Sequence, residues 1–226
     1  SEDQSQDLSA YLVSANLSWL TDPDWRLIAE FDAAFTDGKN DDLRDGDYVQ
    51  ASVGFAYRPV DNDRFNALFK YTYLYDLPGN DQVNAQGETD GPRQRSHVLS
   101  ADGIWQANKY LSLGAKYGFR IGEVEVSPDG VTPARGSGVF EPSSAHLGIV
   151  RADLHVARNW DALVEGRVLW SPTAETVDWG ALAAVYRHIG DNFKVGVGYN
   201  FGRFSDDLTD LTLDDDGFFL NVVGKF

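Results

Sequence analysis

The chain of 226 residues is 42% hydrophobic, carries a formal net charge of -16 and has neither cysteine nor methionine, and its mean hydropathy is -0.35. So acidic a balance argues against nucleic acid as a partner, since a phosphate backbone needs a basic face, and without cysteine there are no disulfides or thiolate metal sites. No apolar run approaches the roughly 18 residues of a membrane-spanning helix, and with Ser rather than Met at position 1 a removed signal peptide or a longer N-terminal part is expected.

Period-2 alternation dominates from the start, which predicts strands with one apolar face. Tyr11, Val13, Ala15, Leu17 and Trp19 alternate with small or polar residues, and beyond Thr21–Asp24 the pattern resumes with Trp25, Leu27, Ala29, Phe31, Ala33 and Phe35. Arg26, Glu30 and Asp32 occupy the second face of that strand, so it is not buried on both sides. Val49 to Tyr57 and Phe65 to Tyr75 repeat the pattern, with Lys70 and Thr72 on the polar side. A fifth segment, Val98 to Trp105, is less regular; the sixth, Leu111 to Ile121, sets Lys116 and Arg120 among serines and glycines. Val150 to Val156 carries Arg151, Asp153 and His155 behind its apolar face, and Ala162 to Trp170 carries Glu165 and Arg167. Trp179 to Tyr186 has no clear facing, Phe193 to Phe201 is a tenth segment, and Phe218 to Phe226 ends the chain as an eleventh.

Connections alternate between short ones, at 20–24, 59–63, 106–109, 157–160 and 189–192, and long ones, at 37–47, 76–95, 123–145, 171–178 and 203–217. This predicts an all-β fold: a transmembrane antiparallel up-and-down barrel of about 12 strands (10 to 12), with short periplasmic turns and long extracellular loops. Apolar aromatics at strand ends, among them Trp19, Trp25, Phe35, Tyr57, Phe65, Tyr75, Trp105 and Trp170, fit interface girdles better than the core of a soluble sandwich. Residues 1–226 read as one barrel domain. Single-chain barrels usually have even strand counts, so a twelfth strand before Ser1, making this the C-terminal part of a longer protein, is the simplest completion.

The last segment, Gly217-Phe218-Phe219-Leu220-Asn221-Val222-Val223-Gly224-Lys225-Phe226, resembles the terminal strand of Gram-negative outer-membrane β-barrel proteins. The resemblance implies that Phe218, Leu220, Val222 and Phe226 form the insertion signal read by the barrel-assembly machinery; Gly224 departs from the pattern, where a larger residue is usual. It also implies residence in the bacterial outer membrane, among its lipids and lipopolysaccharide.

Candidate sites lie on the polar face. Arg26, Glu30, Lys70, Lys116, Arg120, Arg151, Asp153, His155, Glu165 and Arg167 are expected to line the lumen, where charges of both signs either narrow a pore or seal it. A hydrolase built on His97 with Ser96 or Ser100 is disfavoured, because adjacent strand residues face opposite ways. Metal and cofactors are not expected; Asp37–Asp42 and the acids between Asp206 and Asp216 could offer oxygen ligands to Ca²⁺ but lack EF-hand spacing. Leu208, Leu211 and Leu213, interleaved with those acids, predict a loop that packs against a neighbour or folds inward. The leading functional expectation is a small porin-like channel rather than an enzyme, with a membrane anchor or translocator for an upstream domain as the alternative and a barrel hydrolase as the remote one.

Overall fold

The computed structural model describes residues 8–38, 48–62, 64–75, 93–126, 138–190, 192–202, 204, 208 and 216–224. Among them eleven strands follow one another: β1 (Leu8–Asp22), β2 (Trp25–Gly38), β3 (Tyr48–Tyr57), β4 (Phe65–Tyr75), β5 (Gln94–Asn108), β6 (Leu111–Val126), β7 (Val139–Ala157), β8 (Trp160–Ser171), β9 (Thr176–Ile189), β10 (Phe193–Asn200) and β11 (Gly217–Gly224). Each pairs antiparallel with the next, so spatial order equals sequence order, as the alternation of short and long connections required. β1 and β11 stand at the two ends of that order and run in the same direction, with no pairing between them among the described residues.

Three of the short turns are held by their own side chains. Asp22 accepts the backbone N–H of Asp24 at 3.1 Å, Asn62 that of Arg64 at 3.2 Å and Asn108 that of Tyr110 at 2.8 Å. Each replaces a ladder bond that the reversing chain has lost.

Two connections are shorter than the sequence suggests. β6 runs on to Val126 and β7 begins at Val139. This extension is held by polar contacts, Arg95 with Glu123 and the Gly138 N–H to Glu125 at 2.9 Å; Glu123 and Glu125 take the alternate positions that apolar residues fill from Leu111 to Ile121, so the apolar face of a membrane strand breaks off there. The predicted loop at 171–178 is only the 3-10 turn Pro172–Ala174 closed by Glu175. Proline's fixed φ starts the turn, Glu175 takes the left-handed conformation (φ 55), and its N–H reaches the Pro172 carbonyl at 3.2 Å. Ser171 and Thr176 then pair directly.

Burial separates the two faces. Trp19, Val150 and Trp179 are 61%, 66% and 76% exposed, whereas Leu74 and Leu147 are completely buried. An apolar exterior of this extent is matched to lipid rather than water. Along its girdles Trp25 lies 4.8 Å from Tyr57, and His146 stacks 4.9 Å from Trp170 (ring centroids). The uncertain facing of β9 is resolved: Trp179, Ala181, Ala183 and Val185 point outward, and Leu182, Ala184 and Tyr186 inward. Two alanines among the outward residues remove the contrast that sequence reading relies on.

The packed core lies inside the barrel. Leu74, Val98, Ala145, Leu147 and Ile149 form a buried cluster with Phe204 and Leu208, which the connection after β10 carries into it, and Leu169 packs alongside. Leu208 therefore folds inward as the interleaved leucines suggested; Leu211 and Leu213 lie outside the described residues.

Candidate functional site

Strand register converts the list of inner residues into rows. Asn16, Glu30, Ser52, Thr72, Val98, Arg120 and Ala145 are successive cross-strand partners from β1 to β7. One position nearer the short turns runs Lys70, Ser100, Gly118, Leu147, Leu169. The row below that is Asp102, Lys116, Ile149, Arg167 and Gly180, followed by Gly114, Arg151, Glu165 and Leu182. Basic side chains thus descend the wall formed by β6, β7 and β8. Arg26 stands apart near the short turns, exposed, between Leu20 and Ala56.

Sequence reading grouped His155 with Arg151, Asp153, Glu165 and Arg167. The structure forms two same-strand pairs instead, side by side because Arg151 is the partner of Glu165. Arg151 donates to Asp153 through Nε and Nη2 at 2.8 and 2.9 Å, and Arg167 Nε donates to Glu165 Oε1 at 2.5 Å. The second pair is buried and the first is open to solvent. Glu30 accepts a long bond from Ser52, at 3.4 Å.

His155 belongs to a different cluster at the short-turn mouth. Asp161 gathers His155 Nδ1 at 2.8 Å, His188 Nε2 at 2.7 Å and Lys194 Nζ at 2.8 Å around one carboxylate. Lys194 also sits 4.6 Å over the ring of Tyr186. Asp161, His188 and Lys194 were missed in the sequence. A signal existed, because a hairpin folded about Arg158 and Asn159 puts residue 155 opposite 161.

Arg120 is the outlier. It is 8% exposed, and among the described residues its Nε and Nη1 have no hydrogen-bond partner. Nη2 reaches Ser143 Oγ, at 3.5 Å.

The remaining candidates separate. His97 bonds Tyr71 Oη at 2.7 Å on the outer face, while Ser96 and Ser100 occupy the inner one, so no nucleophile and base converge. Phe218, Leu220 and Val222 line the exposed outer face of β11; Phe226 lies outside the described residues, as do Asp206, Asp207 and most of the acids considered for Ca²⁺. Among the described residues no group of three or more His, Asp or Glu side chains is arranged to hold a metal ion.

Residues 3–127, more than half of the chain, match the family model described as "Putative MetA-pathway of phenol degradation". The chain belongs to that family. Among solved structures, the NanC porin is similar over 98% of this chain and 97% of that one, with a TM-score of 0.50 and 12% identity. The siderophore receptor PirA from Pseudomonas aeruginosa is similar over 85% of this chain, with a TM-score of 0.57 and 11% identity, and the copper transporter OprC over 89%, with 0.50 and 12%. The chain spans only 34% and 37% of those two larger proteins. At such identities the likeness is one of fold. No curated protein matches the chain. This family member is an outer-membrane β-barrel of porin-like fold, and its lipid-matched exterior places it in the bacterial outer membrane.

Proposed function

We propose that the barrel is a diffusion channel for small solutes, with its narrowest part in the long-loop half of the lumen. The observation that carries this reading is the contrast along the inner wall. Toward the short turns β6 to β8 carry Lys116, Arg151, Asp153, Glu165 and Arg167, while toward the long loops Phe204 and Leu208 join the apolar cluster that holds Leu147 and Val98. A polar wall with one apolar narrowing favours solutes that are small and partly apolar over extended polar chains. The family's description, which concerns phenol degradation, supports small aromatic compounds as that class.

Single-channel conductance in a planar bilayer tests the reading, comparing the wild type with Arg167→Ala and Glu165→Ala. Stable steps whose size or ion selectivity shifts in the two variants are expected. A folded but electrically silent barrel would overturn the channel and favour a membrane anchor, a reading supported by the apolar cluster that Phe204 and Leu208 help to fill.

A further inference from the structure

We infer that the lumen holds a binding site for a small carboxylate bearing a compact apolar body: the carboxylate on Arg120, the apolar body in the seat that Leu208 occupies. The inference rests on the lumen being the path of small solutes. It begins from a cost. A guanidinium nine-tenths buried with donors unpartnered is unfavourable, since burial strips its water and only an anion or several acceptors replace that hydration. Among the described residues its surroundings supply neither. Val98 and Ala145 flank it in its own row, Ser96 and Ser143 lie on the long-loop side, and Gly118 and Leu147 on the other. None of these is acidic. Nη2 points to Ser143 on the long-loop side, the row of Ser96, whose Oγ is itself buried without a partner among the described residues, and Val98 and Ala145 of the apolar cluster flank Arg120 in its own row.

The apolar half of the site is defined by Gly118. A Cβ built there would lie 3.0 Å from Leu208 Cδ1 and 3.8 Å from Leu147 Cβ, so the missing side chain leaves a hollow that Leu208 fills. That hollow is two residues along β6 from Arg120, on the same face. The leucine side chain shows what the hollow accepts: a branched or planar apolar group of about that size. A carboxylate attached to such a group reaches the guanidinium, whose donor edges match its two oxygens. Leu208 then acts as a built-in competitor.

Isothermal titration of the full-length protein in detergent with sodium benzoate, sodium acetate and phenol tests the site, with micelle blanks subtracted. Benzoate is expected to bind at least about tenfold more tightly than acetate, which lacks the apolar body, and than phenol, which lacks the carboxylate. Arg120→Gln is expected to weaken benzoate by about tenfold or more, with Arg120→Lys intermediate because it keeps charge but loses the fork. Leu208→Ser is expected to tighten benzoate binding by vacating the seat, and Gly118→Val to abolish it by filling the seat. Equal affinity of the wild type for benzoate and acetate, unchanged benzoate binding in Arg120→Gln, or weaker binding in Leu208→Ser overturns the inference. The wild-type ligand series and Leu208→Ser decide it even where Arg120→Gln does not fold. A conducting barrel that ignores benzoate overturns this site alone; a silent barrel that binds benzoate overturns the channel alone.

Discussion

Glu165 and Asp161 stand on the same face of β8, two inward positions apart, and each holds cations, yet their surroundings differ. Glu165 and Arg167 have side chains only 10% and 7% exposed, deep in the lumen. Asp161 is 19% exposed at the mouth, and its partners His155, His188 and Lys194 are between 34% and 40% exposed. The same charge pairing therefore has different consequences at the two levels. In the lumen each partner was desolvated on folding and depends on the other; at the mouth water can replace any one of them. The barrel is fixed from its interior, and its short-turn rim can change charge at little structural cost.

The largest effect is expected from Glu165→Gln, which leaves the buried Arg167 without its carboxylate. Denaturant unfolding in detergent should show a loss of about 3 kcal/mol, the lower end for a broken buried pair because Arg167 retains a further interaction. Leu147→Ala, in the apolar cluster, should cost about 2 kcal/mol by the same measurement, at the low end for a buried leucine because Leu208 and Phe204 can settle into the space. If Leu147→Ala proved costlier than Glu165→Gln, apolar packing rather than ion pairing would be the main constraint inside the lumen. Leu208→Ser should cost about 1–2 kcal/mol and enlarge the single-channel conductance, since it removes one of the two side chains that the connection after β10 carries inward. An unchanged conductance would move the narrowing elsewhere.

Much of this was legible in the sequence wherever water and lipid lay on opposite sides of a strand. β4 and β8 alternate apolar with polar residues because each side faces a different medium, and the burial of Thr72, Glu165 and Arg167 agrees with the facing read from the sequence. Where the contrast in medium disappears, so does the signal. The upper part of β6 and β7, with Glu123 and Glu125 in its ladder, read as loop. β9 offers small residues to lipid, and β5 mixes an outward His97 with an inward Val98. The candidate site was legible as a set of charges but not as contacts. Arg120 looked like one more lumen arginine, because its lack of partners depends on Val98 and Ala145 being its cross-strand neighbours. The Asp161 cluster was missed because it joins two hairpins, His155 with Asp161 across β7–β8 and His188 with Lys194 across β9–β10, which only the β8–β9 pairing brings together.

The smallest effect is expected at the mouth. Asp161→Asn removes the carboxylate that His155, His188 and Lys194 share, yet all three partners are more than a third exposed or close to it, and each remains hydrated. Unfolding should therefore shift by less than about 1 kcal/mol, the range of exposed ion pairs. The electrical effect has a definite sign, because the mouth loses one negative charge while Lys194 stays. Reversal potentials under a salt gradient should move toward anion selectivity, more at low ionic strength than at high, where screening shortens the reach of the rim charges. A stability loss as large as that of Glu165→Gln would contradict the distinction drawn between the two carboxylates of β8, and would make the short-turn rim part of what holds the barrel together.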